Sequence, residues 1–546
     1  MKDRFAIFVI LLVALGAVVG GLFGRMPSRT AAEGDVTPAR LLTDYQEALK
    51  LIGERYVDPV KYEEVADTSM QSMLWTLDPH SAFFTGEEYR KMMEEQSSQF
   101  YGIGVSILQH RDGVYIQSVL PETPADKAGL RYGDRFVTVA GRDAKDWTSA
   151  EVSKNVRGEK GSAVKIQIER AASTKPLDFE IVRGGVPLPS IRNYFMLPNS
   201  IGYVGLTGGF QQTTGEELSL AVGEMKKRGM RSLILDLRGN PGGLLEQAIA
   251  VVSKFIPGEQ TVVSVKGAGG EQSRDLRSTG GTPENFPLVV MINGNSASAS
   301  EIVAGAVQDY GRGLVVGTDS FGKGLVQRVF RLPYDTGLTL TTARYYTPFG
   351  RSLQRDYSSG SIYEYYSHSD PAVGDADAVG GPKPAGVPIT TPDGRTLYGG
   401  RGIEPDVVAA DPKPSPARGR INEAAFHFVR QLVAGRVAGQ ESFRVEKQNF
   451  RAALQPNEFA VGDSLSAQFT NFAIADKQFG LSTENLAAQV DYVRRRLREE
   501  IATANYSTEA GTQVLLEADP QVLKAIEVMP QASEMAMLYA RNRNFN

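Results

Sequence analysis

The chain opens on an unbroken apolar run and then passes through stretches whose apolar period changes from one to the next. From Phe5 to Phe23 no residue is charged, and Lys2, Arg4, Arg25 and Arg29 flank the run. A helix of ~20 apolar residues crosses a bilayer core, so residues 1–24 are expected to form a transmembrane anchor. A cleaved signal peptide is the alternative: Ala14-Leu15-Gly16 loosely resembles a small-residue cleavage site, although cleavage there would leave the apolar stub Ala17–Phe23. On either reading the bulk of the chain is exported. Residues 25–40, containing Pro, Ser and Gly, read as a linker. Apolar residues at Leu41, Tyr45, Ala48, Ile52 and Tyr56 then fall at helical spacing. A second helix is expected around Val65–Leu77, ended by Asp78-Pro79-His80, because proline disfavours helix at the residue before it. Residues 41–98 are thus a small helical region.

From Gln99 the pattern becomes that of strands: YGIGVSI (Tyr101–Ile107) and VYIQSV (Val114–Val119), followed by PETPADKAGLRYGDRFVTVAG (Pro121–Gly141). Through these segments residues 99–185 resemble a bacterial-type PDZ domain. The resemblance implies that a peptide tail adds as a strand along the sheet edge. Its carboxylate would face backbone N–H groups of the loop Gly102-Ile103-Gly104, flanked by Tyr101 and Val105. Glycine is expected in that loop because only glycine lets backbone approach an anion so closely.

Residues 186–411 alternate strand and helix, the pattern of an α/β core. Ile201–Val204 reads as a strand, Thr214-x-x-Glu217 as a capping box for a helix reaching Gly229, and Leu233–Leu237 as a buried strand. The turn RGNPGG, Arg238–Gly243, opens onto another helix, and the strand Pro287–Asn293 ends in GNSASASEIVAGAVQD. Residues 356–400, rich in Ser, Tyr, Pro and Gly, read as an inserted surface excursion. Residues 412–546 turn helical, with Leu486, Val490, Val493, Leu497 and Ile501 on one apolar face that serves either intrachain core or a second subunit. The expected fold is multidomain, α/β and α+β: N-terminal transmembrane helix, small helical region, PDZ domain, α/β core and helical C-terminal extension.

With 546 residues and 42% hydrophobic composition the chain can build several cores. Its 59 basic and 63 acidic residues leave a net charge of −4, and no long basic run marks a nucleic-acid binder. The absence of cysteine excludes disulfides, thiolate metal sites, a cysteine nucleophile and a lipid-modified N-terminal cysteine. Of the four histidines, His80, His110, His368 and His427, none lies in a motif with a carboxylate, and there is no H-E-x-x-H. Neither a Ser-His-Asp triad nor a zinc site is signalled.

Ser298-x-x-Glu301 is a capping-box signature, and a helix cap accounts for such a serine without any chemistry. A serine at a strand-to-helix turn also sits where helix N–H groups can stabilise an oxyanion, but it then needs a base. Lysine can serve when its pKa is depressed. Lys323 follows Gly317 and Gly322 at the spacing of a phosphate loop, G-x-x-x-x-G-K. That loop requires Ser or Thr next and then a helix; here Gly324 follows, and LVQRVFRLP reads as a strand.

DLRGNPGG, NGNSASASEIVAGAVQDYGRG, VVGTDSFGKGLVQ, LTLTTARYYTPFGRS and GIEPD, in that order behind a PDZ-like segment, resemble the carboxyl-terminal processing peptidases, or tail-specific proteases. The resemblance covers roughly residues 41–411. It implies a Ser-Lys dyad: Ser298 as nucleophile, Lys323 as general base and later acid, and Gln327 positioning the lysine. An oxyanion hole would come from the N–H of Ala299 and of Gly242 or Gly243, Pro241 having none. The activity implied is that of a serine endopeptidase working through an acyl-enzyme, with no metal or other cofactor, on protein or peptide substrates with a free C-terminus. The implied place is the extracytoplasmic face of a bacterial envelope, with the membrane, an adaptor protein or a second copy as partners and nucleic acid excluded. The competing reading is a catalytically inactive PDZ-bearing scaffold.

Overall fold

The computed structural model describes residues 37–96, 99–267, 273–358, 365–366, 386–411, 415–451 and 453–543. The run Phe5–Phe23 lies outside them; among the described residues no helix is long and apolar enough to cross a membrane. The chain divides at Met70 into two units. In the first, the helix Pro38–Arg55 starts inside the segment read as linker. Thr37 is its N-cap and Pro38 stands at a first-turn position, where its missing N–H is no loss.

In the second unit, a six-stranded antiparallel sheet runs in the order Val105–His110, Gly113–Val119, Arg135–Val139, Ala163–Glu169 and Leu177–Val182, with the short strand Arg142–Asp143 paired to Arg135–Val139. Period-two burial puts Val164, Ile166 and Ile168 inside and leaves Ala163, Lys165 and Glu169 outside. Val105–His110 is an edge strand of this sheet, and the helix Ser149–Val156 lies beside it, the Ser149 N–H donating to Gln109.

A second, six-stranded sheet runs Ile191–Leu197, Ile201–Leu206, Ser232–Asp236, Leu288–Ile292, Leu314–Gly317 and Val407–Val408, parallel throughout except for its first pair. Its central strands are buried on both faces, which is why they read as continuous apolar runs. Leu233, Leu235, Val290 and Ile292 meet the helices Thr214–Lys227, Leu245–Val252 and Ala299–Asp309. Ile234, Val289 and Met291 meet Val522, Ala525 and Met529, from the helices Pro520–Glu527 and Met529–Arg543. One whole face of the sheet is therefore covered by residues from the helical C-terminal stretch.

Local expectations needed correction in three places. Thr214-x-x-Glu217 forms no capping box: Thr213 is the N-cap and donates to Glu217 Oε1, while Glu217 Oε2 accepts the Ile191 N–H. The face Leu486 to Ile501 belongs to two helices, Thr483–Ala487 and Val490–Asn505. Leu486, Val493, Leu497 and Ile501 pack on the helix Pro416–Val433, whereas Val490 is exposed; the face is intrachain core. The insertion is not wholly a surface excursion, because Tyr365 is 5% exposed.

Candidate active site

Three turns meet at the carboxyl ends of three neighbouring parallel strands, where open α/β sheets place their ligands. Arg238–Gly243 follows the strand Ser232–Asp236, Gly294–Ser298 follows Leu288–Ile292, and Thr318–Lys323 follows Leu314–Gly317. Asn240 knits the first turn to the second. Its side chain donates to the Leu206 carbonyl and accepts the Gly242 N–H, and its carbonyl accepts from the Ala297 N–H and the Ser300 hydroxyl. Arg238 braces the same turn from behind, donating to Asp236, to Asp519 at 2.8 Å and to Gln521 at 2.6 Å.

Ser298 sits where the second turn enters the helix Ala299–Asp309, with φ 53° and ψ −109°. A non-glycine residue in that region is strained by about 1–3 kcal/mol and persists only where its surroundings impose it. The N–H groups of Gly243 and Ala299 have no partner among the described residues, whereas that of Gly242 is committed to Asn240. Of the two glycines expected as donors, Gly243 is the one left free. Gly242 has φ 99°, and a Cβ there would lie 2.8 Å from both the Ala297 carbonyl and the Ser298 Cβ, so no side chain fits.

Glu301 does far more than cap a helix. It is fully buried, and its Oε2 accepts the Ser298 N–H and the Lys323 N–H, each at 2.8 Å. Its Oε1 accepts the Gly322 N–H at 2.7 Å and the Ser320 hydroxyl at 2.5 Å. Burial pushes its pKa up and the four donors hold it back. One carboxylate thus ties the serine turn to the lysine loop. Gly402, from GIEPD, packs so close that a Cβ would lie 2.4 Å from Ser320 Oγ and 2.7 Å from Glu301 Oε1.

Burial depresses the pKa of Lys323; Glu301 and Asp78 oppose the shift. No ion pair or hydrogen bond engages its Nζ among the described residues. Gln327 lies on the strand Leu325–Arg331, its Nε2 buried and without a partner. Next to the lysine stands a group that its own sequence did not announce: burial first, then the Lys323 charge, pushes His80 down to about 3, so it stays neutral. His80 Nε2 pairs with the Tyr365 hydroxyl at 2.9 Å, and Asp78 accepts the His80 and Ser81 N–H groups. Tyr365 also accepts from Gln354, whose Oε1 holds the Gly324 N–H. Three of the four histidines have carboxylate neighbours after all: His80 has Asp78, and His427 has Asp112 at 3.8 Å and joins His110 beside Glu423.

The residues expected to bind a tail form a separate cluster. Tyr101 and Gly102 pair with Gly185 and Gly184, and Val105 begins the edge strand. Ile103 turns its side chain into the core, 1% exposed, so only its backbone can face a ligand. The N–H groups of Ile103 and Gly104 have no partner among the described residues. Gly104 is also required to be glycine by the backbone: its φ is 88°, and a Cβ would lie 2.3 Å from that of Thr123.

The model of Peptidase family S41 matches residues 200–359, and that of the PDZ domain matches residues 102–181. The carboxy-terminal-processing protease of Bartonella bacilliformis is 34% identical over 57% of this chain and 72% of its own length. Carboxy-terminal processing protease CtpA of Bacillus subtilis is 30% identical over 65% of this chain and 76% of its own. Among solved structures, the photosystem II D1 C-terminal processing protease is 26% identical, covering 69% of this chain and 94% of its own, with a TM-score of 0.34. The chain belongs to the carboxy-terminal processing proteases of peptidase family S41 and is a serine-type peptidase with a PDZ domain.

Proposed function

We propose that this peptidase cleaves proteins selected by their C-terminal tails, with Ser298 as nucleophile and Lys323 as base. Ser298 Oγ attacks the scissile carbonyl carbon while neutral Lys323 Nζ takes the hydroxyl proton. The N–H groups of Gly243 and Ala299 stabilise the oxyanion, and the lysine returns the proton to the leaving amine. Water then attacks the acyl-enzyme, again through Lys323. Gln327 orients the amine, and the Ile103 and Gly104 N–H groups receive the substrate's terminal carboxylate.

The observation that carries this reading is the shared Glu301 carboxylate, which fixes the backbone of nucleophile and base to one point. The scaffold alternative leaves that device, the strained Ser298 and the free N–H groups without a purpose. The apolar run Phe5–Phe23 supports export, with the enzyme acting on the extracytoplasmic side of a bacterial membrane.

A fluorophosphonate probe tests the assignment. Wild type should label and hydrolyse peptides; Ser298→Ala should do neither while keeping its fold. Lys323→Arg should also fail, because a guanidinium does not give up its proton. Labelling of the Ser298→Ala variant, or turnover by Lys323→Arg near the wild-type rate, would remove these residues from their roles.

A further inference from the structure

Away from the dyad, His110 ends the PDZ edge strand Val105–His110, and Glu423 and His427 stand one turn apart on the helix Pro416–Val433. One ligand atom from each lies within 4.8 Å of the others. The same three residues share a second property: His110 Nε2, His427 Nε2 and Glu423 Oε1 are shut off from solvent and have no hydrogen-bond partner among the described residues. A buried polar atom left unpartnered costs about 1–3 kcal/mol, and folded proteins carry few of them. These three are all metal-ligating types, and their residues converge on one point.

The surroundings hold the rings rather than satisfy them. His110 stacks on Phe426 with centroids 4.2 Å apart, and Tyr115 meets both imidazoles edge-on. Asp112 Oδ1 stands 3.8 Å from His427 Nε2, while its other oxygen accepts the Tyr115 hydroxyl. Arg111 stands 3.7 Å from Glu423 Oε1 and is paired with Asp476 at 2.5 Å. Arg496 and Arg430 add positive charge around the imidazoles, and Asp112 opposes it.

We infer that His110, Glu423 and His427 form a binding site for a zinc-type divalent ion, with Asp112 as the adjacent carboxylate. Two imidazoles and a carboxylate are a ligand set that such ions take at bond lengths of about 2.0–2.2 Å, and the cluster needs only a small contraction to supply it. The signal was present in the sequence as Glu423-x-x-x-His427, an i,i+4 pair on one helical face, completed by a histidine distant in the chain. The ion's place is structural. It ties the strand along which a peptide tail would add to the helical C-terminal stretch, through residues that belong to neither the serine turn nor the lysine loop.

Tag-free full-length protein, stripped with chelator and dialysed, is titrated with zinc chloride in a calorimeter, and with cobalt(II) for its visible absorption. Wild type should bind one ion per chain; His427→Gln and Glu423→Gln, checked for native circular dichroism, should each bind at least ~10-fold more weakly. Hydrogen exchange on unmodified protein gives a readout independent of any variant: zinc should slow exchange in Val105–His110 and in Pro416–Val433. No saturable binding by wild type, equal affinity in the doubly substituted chain, or unchanged exchange in both segments with zinc bound would overturn the site.

Discussion

Lys323 carries the sharpest consequence at the scale of single residues. If it is the base proposed, its amine must be neutral to accept the serine proton, so kcat/KM should rise with pH through its folded-state pKa, which burial sets below the usual 10.5. His80, neutral down to about 3, should add no limb near neutrality. A pH–rate profile with a single ionisation on the acid side checks both. Stability should follow the same group. Between the folded value and 10.5 the unfolded chain holds more protons than the folded one, so this lysine's destabilising effect is complete below the folded pKa and fades as pH rises. Replacing Lys323 with Met should stabilise most on the acid side, with the gain shrinking toward 10.5; urea denaturation across pH measures it.

At the scale of elements, the serine turn and the lysine loop are held in common by Glu301. Glu301→Gln keeps the shape but offers one acceptor oxygen and two donors to a pocket that presents four donors. The variant should lose about 2–4 kcal/mol of stability, the worth of one or two charge-assisted hydrogen bonds. It should also label with the fluorophosphonate at least ten-fold more slowly; denaturation midpoints and labelling rates read these separately. Glu301 also marks what a sequence conceals. Strands such as Leu233–Leu237 and Leu288–Ile292 were legible because burial on both faces writes itself as an apolar run, and the turns that carry Ser298 and Lys323 drew notice because their motifs are local. Capping chemistry explained Glu301 well enough to stop the reading there, since its other three donors come from a loop 19 to 22 residues further on. His80, Tyr365 and Gln354 were illegible for a related reason: each reaches the lysine loop from a different segment, and no periodicity records a contact between segments. Gly104 has a second reason to be glycine that the sequence does not show, because a clash with Thr123 exists only once the sheet has folded.

At the scale of the molecule, the loop proposed to hold the tail and the residues proposed to cleave belong to different sheets, so on that proposal selection by the tail is a separable property. Amidating the last residue of a good peptide removes the charge that the Ile103 and Gly104 N–H groups would bind. A charge-assisted contact is worth about 1.5–3 kcal/mol, so cleavage at sub-saturating substrate should slow roughly ten- to a hundred-fold. Equal kcat/KM for amidated and free-acid peptides would remove the PDZ loop from substrate choice.

The brace on the oxyanion turn has a consequence in time. Arg238 depends on Asp519 and Gln521, and the face of the sheet beneath the three turns is closed by Val522, Ala525 and Met529. A ribosome makes Ser298 and Lys323 long before it makes any of these. Until those helices emerge and dock, the turn Arg238–Gly243 is held by Asn240 and by the pairing of Arg238 with Asp236 but not by Asp519 or Gln521, and one side of its sheet is bare. If the proposed dyad is right, a chain whose late helices have not docked already holds Ser298 and Lys323, while part of the bracing of the neighbouring turn is still to come.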